Sequence, residues 1–352
     1  MNFLDGSLFP ENQQKLVITA APYGPEWIPS DFPEDIPVTM QEQVQKAVDC
    51  YNAGASVLHL HVRELDGKGS KRLSKFNELI AGVRAAVPDM LIQVGGSISF
   101  APETEGQSAK WLSDDTRHML AELEPIPDQV TVTVNTSQMN VTDHAEDADF
   151  KGTSRENAAL FNSYKDMIVP ANPLWVEEHV RRLSAKGIQS AFQCYNTNSF
   201  ESVERLIRRG FFKGPLVMNW VAIGGGMDSP SLYSLANFMR GIPDGAVVTV
   251  ESNVRNVLPV NMMGIASGLH VRCGTEDVIW NQRRTARQST VRQIEQLVRI
   301  SQEFGRDIAT ARQAREICRI GVFYETADEA LAANGFAPNR RGGTQGFLRK
   351  TQ

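Results

Sequence analysis

Two histidines separated by a single residue, His59 and His61, are the sharpest chemical feature of the chain. They stand in a run of aliphatic and β-branched residues, Val57–Val62, and residues two apart on a strand point to the same face. Both imidazoles can therefore grip one ion, and neutral imidazole suits zinc. A carboxylate as third ligand would leave a position open for substrate. The alternative is a pair of hydrogen-bonded core histidines. Far along the chain, Glu276 and Asp277 offer such a carboxylate. Adjacent residues point in different directions, so one could ligate while the other handles protons. They read equally well as a pair that complements the dipole of a following helix. Arg272 shares a strand face with His270, and an inward arginine there holds an anion or partners the acidic pair. His270, one layer deeper, reads as a satisfied core histidine.

These residues need a scaffold that brings distant strands to one point. Eight short strand-like runs are legible: Leu16–Ala21, Val57–Val62, Met90–Val94, Val130–Asn135, Gln189–Tyr195, Leu216–Val221, Ala246–Glu251 and Leu269–Cys273. Helix-length amphipathic stretches alternate with them. Thr39 caps the first, with Glu42 completing a capping box and Gly54 ending the helix after Asn52. Ser74–Ala86, Asp114–Glu124, Leu174–Ala185, Phe200–Arg209, Leu232–Met239, Leu258–Ala266 and Ser289–Phe304 supply the rest. Eight strands each followed by a helix close into a (β/α)8 barrel, whereas an open sheet would leave two edges. The expected organisation is a barrel over residues 1–320, with a C-terminal extension over 321–352. That extension holds a short helix near Ala327–Ala333 and serves a subunit interface or stays mobile. The segment Thr142 to Pro173 is too long for an ordinary connection and reads as a lid or pocket wall.

A barrel gathers its chemistry at the C-terminal strand ends. Strand one leads to Glu26, strand two to His59 and His61, strand four to Thr133 and Asn135, and strand five to Gln193 and Asn196. Strand seven ends at Glu251, and strand eight leads through Arg272 to Glu276 and Asp277. The glycines 224–226 after strand six, Gly225 among them, fit either a backbone cradle for an anion or a simple turn. Arg283, Arg284 and Arg287 read as a solvated helix face, or as contacts to cofactor phosphates. Trp175 and Trp220 belong to core or pocket wall.

Composition excludes several classes. The net charge of -5 carries no nucleic-acid footprint, and no apolar run reaches membrane-spanning length. Met1–Gln14 lacks the pattern of a signal peptide, so a cytoplasmic location is expected. Cys50, Cys194, Cys273 and Cys318 are scattered and read as reduced and buried.

The motifs together are familiar. Val17-Ile18-Thr19-Ala20-Ala21-Pro22-x-Gly24-x-Glu26, Ala53 through Arg63 with its two histidines, Gly224-Gly225-Gly226-Met227, and Gly268 through Cys273-Gly274-x-Glu276-Asp277 resemble the β-keto acid cleavage enzymes. The likeness runs from about Lys15 to Ile317. The founding activity of that family is 3-keto-5-aminohexanoate cleavage in lysine fermentation. The resemblance implies a zinc-dependent exchange in which a β-keto acid and acetyl-CoA give acetoacetate and a new CoA thioester. It implies zinc on His59, His61 and Glu276, with another divalent ion as the alternative. It assigns proton transfer and its electrostatic support to Asp277 and Arg272, and substrate carboxylate binding to Thr133. It also implies a homo-oligomer, a tetramer by analogy. Three positions depart from the family pattern. Gln93-Val94-Gly95-Gly96-Ser97 stands where a serine and a threonine usually follow the glutamine, which leaves Ser97 for that work. Gln193 replaces a glutamate, and Glu251 replaces a small residue, as if a carboxylate had moved between strands. Glu26 and Glu251 would then face the distal part of the substrate and favour a cationic or hydroxyl-bearing tail, unless an arginine such as Arg255 or Arg63 pairs with one of them.

Two other classes compete. A metal-dependent hydrolase on the same fold would use zinc-bound water, but its His-x-His belongs on strand one, with further histidines on later strands. Here His118, His144 and His179 fall on helices or loops. A non-catalytic metabolite-binding barrel is suggested by Gln193.

Overall fold

The computed structural model describes residues 5–70, 72–96 and 117–340. Eight parallel strands form a closed barrel: Ile18–Ala20, Val57–Leu60, Leu91–Val94, Gln129–Thr133, Gln189–Cys194, Val217–Ala222, Val247–Ser252 and His270–Cys273. They are numbered one to eight here in chain order. Strand eight closes on strand one, with Thr19 opposite Arg272. The (β/α)8 expectation holds, and each strand lies within a residue or two of its run in the sequence.

Alternation along the strands builds two cores. Outward residues such as Ile18, Leu58, Ile92, Val132, Phe192, Trp220, Val250 and Val271 pack against the helices. Inward residues Val17, Val57, Leu91, Ala191, Val217 and Val247 make a separate apolar layer at the barrel floor. That floor is plugged by the segment after the last barrel helix, through Ala309, Ala314 and Cys318. One-residue register changes would exchange the two sets, so the pattern fixes the pairing.

The helices follow their caps. Thr39 accepts from the Glu42 amide at the start of Met40–Ala53, and Gly54 ends it at φ 114°. Ser289 caps Thr290–Phe304 in the same way. The third expected helix is described only at its end: Arg117 and His118 are α-helical, a 3-10 turn, Met119–Glu122, follows, and Pro125 and Pro127 stop any continuation; Asp114–Thr116 lie outside the described residues. A short helix, Ala311–Ile317, was not anticipated; it forms the floor plug. The helix Ala327–Ala333 packs on Asn198–Arg208, and the buried Asn334 beyond it bonds to Leu216 and Gly214. No helix among the described residues is long and apolar enough to cross a membrane. All four cysteines are free and buried.

The long segment after strand four is a folded wall. A two-stranded ribbon, Ser137–Gln138 with Ile168–Val169, opens and closes it. Asp149 within it binds Arg255 at 2.7 Å, and Asp31 from the loop after strand one receives the Ser154 amide and hydroxyl. Arg284 pairs with Glu146, and Arg287 stacks 3.5 Å from the Trp280 ring centroid. Arg283, Arg284 and Arg287 therefore sit on a loop before the last barrel helix, not on a helix face. Two of them fasten neighbouring loops together.

Arg306 ties the opposite end. It is 1% exposed and donates to the carbonyls of Gln14, Ile265, Gly268 and Leu269 at 2.7–3.2 Å. Arg306→Leu leaves the buried carbonyls of Ile265 and Leu269 without that donor and should cost about 3–5 kcal/mol of folding stability. Urea unfolding measures this; a loss below ~1 kcal/mol would show that water replaces the guanidinium without difficulty.

Candidate active site

His59 and His61 project inward from strand two and are 3% and 5% exposed. Their Nε2 atoms lie 3.2 Å apart. Glu276 Oε1 is 3.5 Å from the first and 3.6 Å from the second. A tetrahedral ion bound at metal-ligand distances has ligand-to-ligand edges of about 3.3–3.6 Å, so this triangle has the right size for one ion. Among the described residues this is the cluster of His, Cys, Asp and Glu that offers a metal three ligand atoms within 4.8 Å of one another. Close approach demands two glycines. A Cβ on Gly95 would sit 2.2 Å from His61 Cε1, and one on Gly24 would sit 1.9 Å from Glu276 Cγ.

Arg272 organises the acids. Its Nε and Nη2 donate to the two oxygens of Asp277 at 2.9 and 2.8 Å. Nη2 also reaches Glu276 Oε1 at 2.5 Å, and Nη1 reaches Glu251 Oε2 at 3.4 Å. Burial opposes ionisation of Glu276, yet Arg272, His59 and His61 together hold that carboxyl well below the usual range. Asp277 is pushed up to about 6 by burial, against the pull of Arg272. Burial also lifts Glu251 to about 7, again opposed by Arg272. Glu26 rises to about 7 through burial and its neighbour Glu276. Burial lowers His59 to about 3, with the Arg272 charge adding to it, so its imidazole is neutral at ordinary pH.

These groups line one pocket, walled by Thr133, Gln193, Tyr195, Val221, Asn253 and Arg155. The fold that holds it has known relatives. A model of the beta-keto acid cleavage enzyme family matches residues 15–320.

The chain belongs to that family.

It is 29% identical over 311 residues to the 3-keto-5-aminohexanoate cleavage enzyme of Acetoanaerobium sticklandii, covering 87% of this chain and 99% of the relative. It is 25% identical over 319 residues to the 3,5-dioxohexanoate:acetyl-CoA acetone transferase of Paraburkholderia graminis, covering 88% and 96%. A solved ternary complex of ObcA with a C4-CoA adduct and oxalate superposes with a TM-score of 0.60 at 13% identity, over 81% of this chain and 67% of that one, which shows a shared fold.

Within this β-keto acid cleavage enzyme, Thr133 lines the pocket with its hydroxyl 2.9 Å from the Tyr195 hydroxyl. Glu26 and Glu251 also line it. The alternative in which a nearby arginine pairs with one of them is met for Glu251, though by neither Arg63 nor Arg255. Arg63 is spent on the carbonyls of Gly24, Trp27 and Gly67, and Arg255 on Asp149 and Glu146. Glu251 pairs with Arg272, while Glu26 Oε2 is buried with no partner. Gly225 is not part of the pocket wall. Its N–H donates to Asp143 and it bridges to Met139, so the turn reading applies there and the anion cradle does not. Ser97 lies outside the described residues. His270 is a satisfied core histidine whose Nδ1 accepts from the Val17 amide. The Cys273 thiol is buried and pushed well above its ordinary pKa, which leaves it unreactive.

Arg155 is the residue that sequence reasoning missed. It is 3% exposed, donates to the Glu26 carbonyl at 2.7 Å, and lies over the Trp27 ring. Its Nη2 is buried without a partner at the pocket. Flanked by Ser154 and Glu156 in a polar stretch, it carried no sequence signal beyond the length of its loop.

Glu26 and Glu251 both have folded values near 7 against an ordinary 4.5, so the metal-free native state holds protons that the unfolded chain has released. Raised acid values make stability fall as pH rises through that window. The melting temperature of chelator-treated protein should drop between about pH 5 and about pH 7.5, and Glu251→Gln should flatten the drop. A slope that Glu251→Gln leaves unchanged would assign the effect to other groups.

Proposed function

We propose that the chain is a zinc-dependent β-keto acid cleavage enzyme that condenses a β-keto acid with acetyl-CoA, yielding acetoacetate and a new CoA thioester. The observation that carries this is the convergence of His59, His61 and Glu276 beside an aspartate clamped by Arg272, in a chain of this family. Two imidazoles and one carboxylate, with Nε2, Nε2 and Oε1 turned toward one point, suit zinc. When bound, the ion supplies Lewis acidity to the oxygens of the keto acid.

The chain's own residues do the rest. Asp277 is the base that takes the proton from C2, and a value near 6 keeps it ionised yet basic at neutral pH. Arg272 fixes its orientation through two hydrogen bonds. Thr133 and the unpaired Arg155 Nη2 offer donors to the substrate carboxylate. Ser97 is assigned a substrate-binding role by its place after strand three. Glu26, with a free buried oxygen, favours an amine- or hydroxyl-bearing tail over an alkyl one, and Glu251 reinforces that bias from the next wall. The reading includes cytoplasmic residence and a homo-oligomer.

A hydrolase of the same fold is disfavoured, because none of the other four histidines lines the pocket. His118 and His179 stack with Trp175 instead. A passive binding barrel leaves the Asp277–Arg272 clamp without a purpose.

Incubation with β-keto acids bearing alkyl, hydroxyl and ammonium tails, with and without acetyl-CoA, tests the reaction. Thioester formation should require acetyl-CoA, with the ammonium substrate preferred. Turnover without acetyl-CoA would favour the hydrolase, and no turnover across the panel the binding barrel. Asp277→Asn should retain the metal and lose turnover by roughly a hundredfold or more. His59→Ala with His61→Ala should abolish metal binding in elemental analysis while circular dichroism stays unchanged.

A further inference from the structure

Three inward glutamines stand side by side across neighbouring strands. Gln93 is opposite His59 on one side and Gln129 on the other, and Gln129 is opposite Gln189. All three are at most 4% exposed. Their amides form one continuous chain. Gln189 Nε2 donates to the Cys318 carbonyl at 2.8 Å, and Gln129 Nε2 donates to Gln189 Oε1 at 2.7 Å. Gln93 Nε2 donates to Gln129 Oε1 at 2.9 Å, and Gln93 Oε1 lies 2.8 Å from His59 Nδ1.

The direction of this chain follows from its root. A backbone carbonyl only accepts, so Gln189 must turn its NH2 toward Cys318. That leaves its oxygen facing Gln129, which must donate in turn, and so must Gln93. Reversing any one amide would set oxygen against oxygen at one end and nitrogen against nitrogen at the other, among side chains at most 4% exposed. The last link therefore presents an oxygen to His59, and His59 must carry its proton on Nδ1. Its lone pair is then on Nε2, the atom that faces His61 Nε2 and Glu276 Oε1.

We propose that Gln93, Gln129 and Gln189 are positioning residues that set the tautomer of His59 from the floor of the barrel. The carbonyl of Cys318, on the floor plug, fixes which imidazole nitrogen is offered to the metal on the far side of the polar layer. His61 has no such support, since its Nδ1 is buried without a partner. The two histidines are thus unequal: one is preset, and the other takes its tautomer from what binds. The role in metal binding rests on the reading under Proposed function, whereas the tautomer of the metal-free protein does not.

Long-range 15N–1H correlation spectra of metal-free protein, with ring-labelled histidine and His59→Ala for assignment, read the tautomer directly. The expected result is His59 protonated on Nδ1 alone. Gln129→Met cuts the chain without touching either end; it should release Gln93 to rotate and give a mixture of both tautomers. The same variant should lower zinc affinity roughly 10–100-fold in a chelator competition, the range found when outer partners of a metal-bound histidine are lost. A wild-type His59 protonated on Nε2, or mixed, overturns the proposal whatever the variants do. So does a Gln129→Met protein with wild-type spectra and wild-type affinity. Failure of the wild type to bind zinc, with His59 still protonated on Nδ1, would instead fall on the metal assignment.

Discussion

A guanidinium buried at the end of strand eight holds three acids of the site together. Arg272 is 7% exposed and meets three carboxylates at 2.5–3.4 Å. It cannot give up its proton, so its charge must be matched by ionised neighbours. The matching is unequal because the fork is directional. Asp277 takes two hydrogen bonds and Glu276 one short one, while Glu251 has only a long contact. Glu276, with both histidines beside it as well, is held down, while burial still lifts the doubly bonded Asp277 to about 6 and the more distant Glu251 to about 7. A lysine at this position would have the charge but not the planar geometry that sorts the three acids.

The same site can be counted as charge. Glu26, Glu251, Glu276 and Asp277 line the pocket with Arg155 and Arg272. Two arginines leave two negative charges unmatched, and a divalent ion on His59, His61 and Glu276 would match them. Without the ion, protons must do so, and the two carboxyls that rise furthest, to about 7, are Glu26 and Glu251. Burial is the leading cause for both, and neither has the two hydrogen bonds that Arg272 gives Asp277. An ammonium group on a substrate tail next to Glu26 would act in the same sense as the ion.

Much of this was legible in the sequence, and the reasons differ by residue. The His59–His61 pair could be read because strand periodicity puts residues two apart on one face whatever the tertiary structure. The eight strands and the Thr39 cap were legible for the same local reason. The partner of Glu251 was not. Arg255 suggested itself by closeness in sequence, yet the arginine that reaches Glu251 comes from the adjacent strand. Arg155 was hidden more completely, because a buried cation on an irregular loop has no periodicity to betray it. Gly225 was left open between turn and anion cradle, because a run of glycines suits both, and only the structure shows its amide on Asp143.

The row of glutamines explains why the floor and the mouth of this fold belong to one system. The inward positions of strands three, four and five carry glutamines that run from His59 down to the floor plug, where valine or isoleucine would pack without hydrogen-bonding demands. A buried amide is stabilising only when both ends are satisfied. Each of these has its neighbour's amide on one side, so the set cannot end in mid-air. It needs an obligate acceptor at one end and a donor at the other. The Cys318 carbonyl supplies the first, and His59 the second. The Ala311–Ile317 plug is tied to the same end of the barrel by Arg315, which binds Asp128 beside strand four. The segment that follows the eighth barrel helix therefore closes the floor and, through three glutamines, also completes the hydrogen bonding of His59 at the barrel mouth.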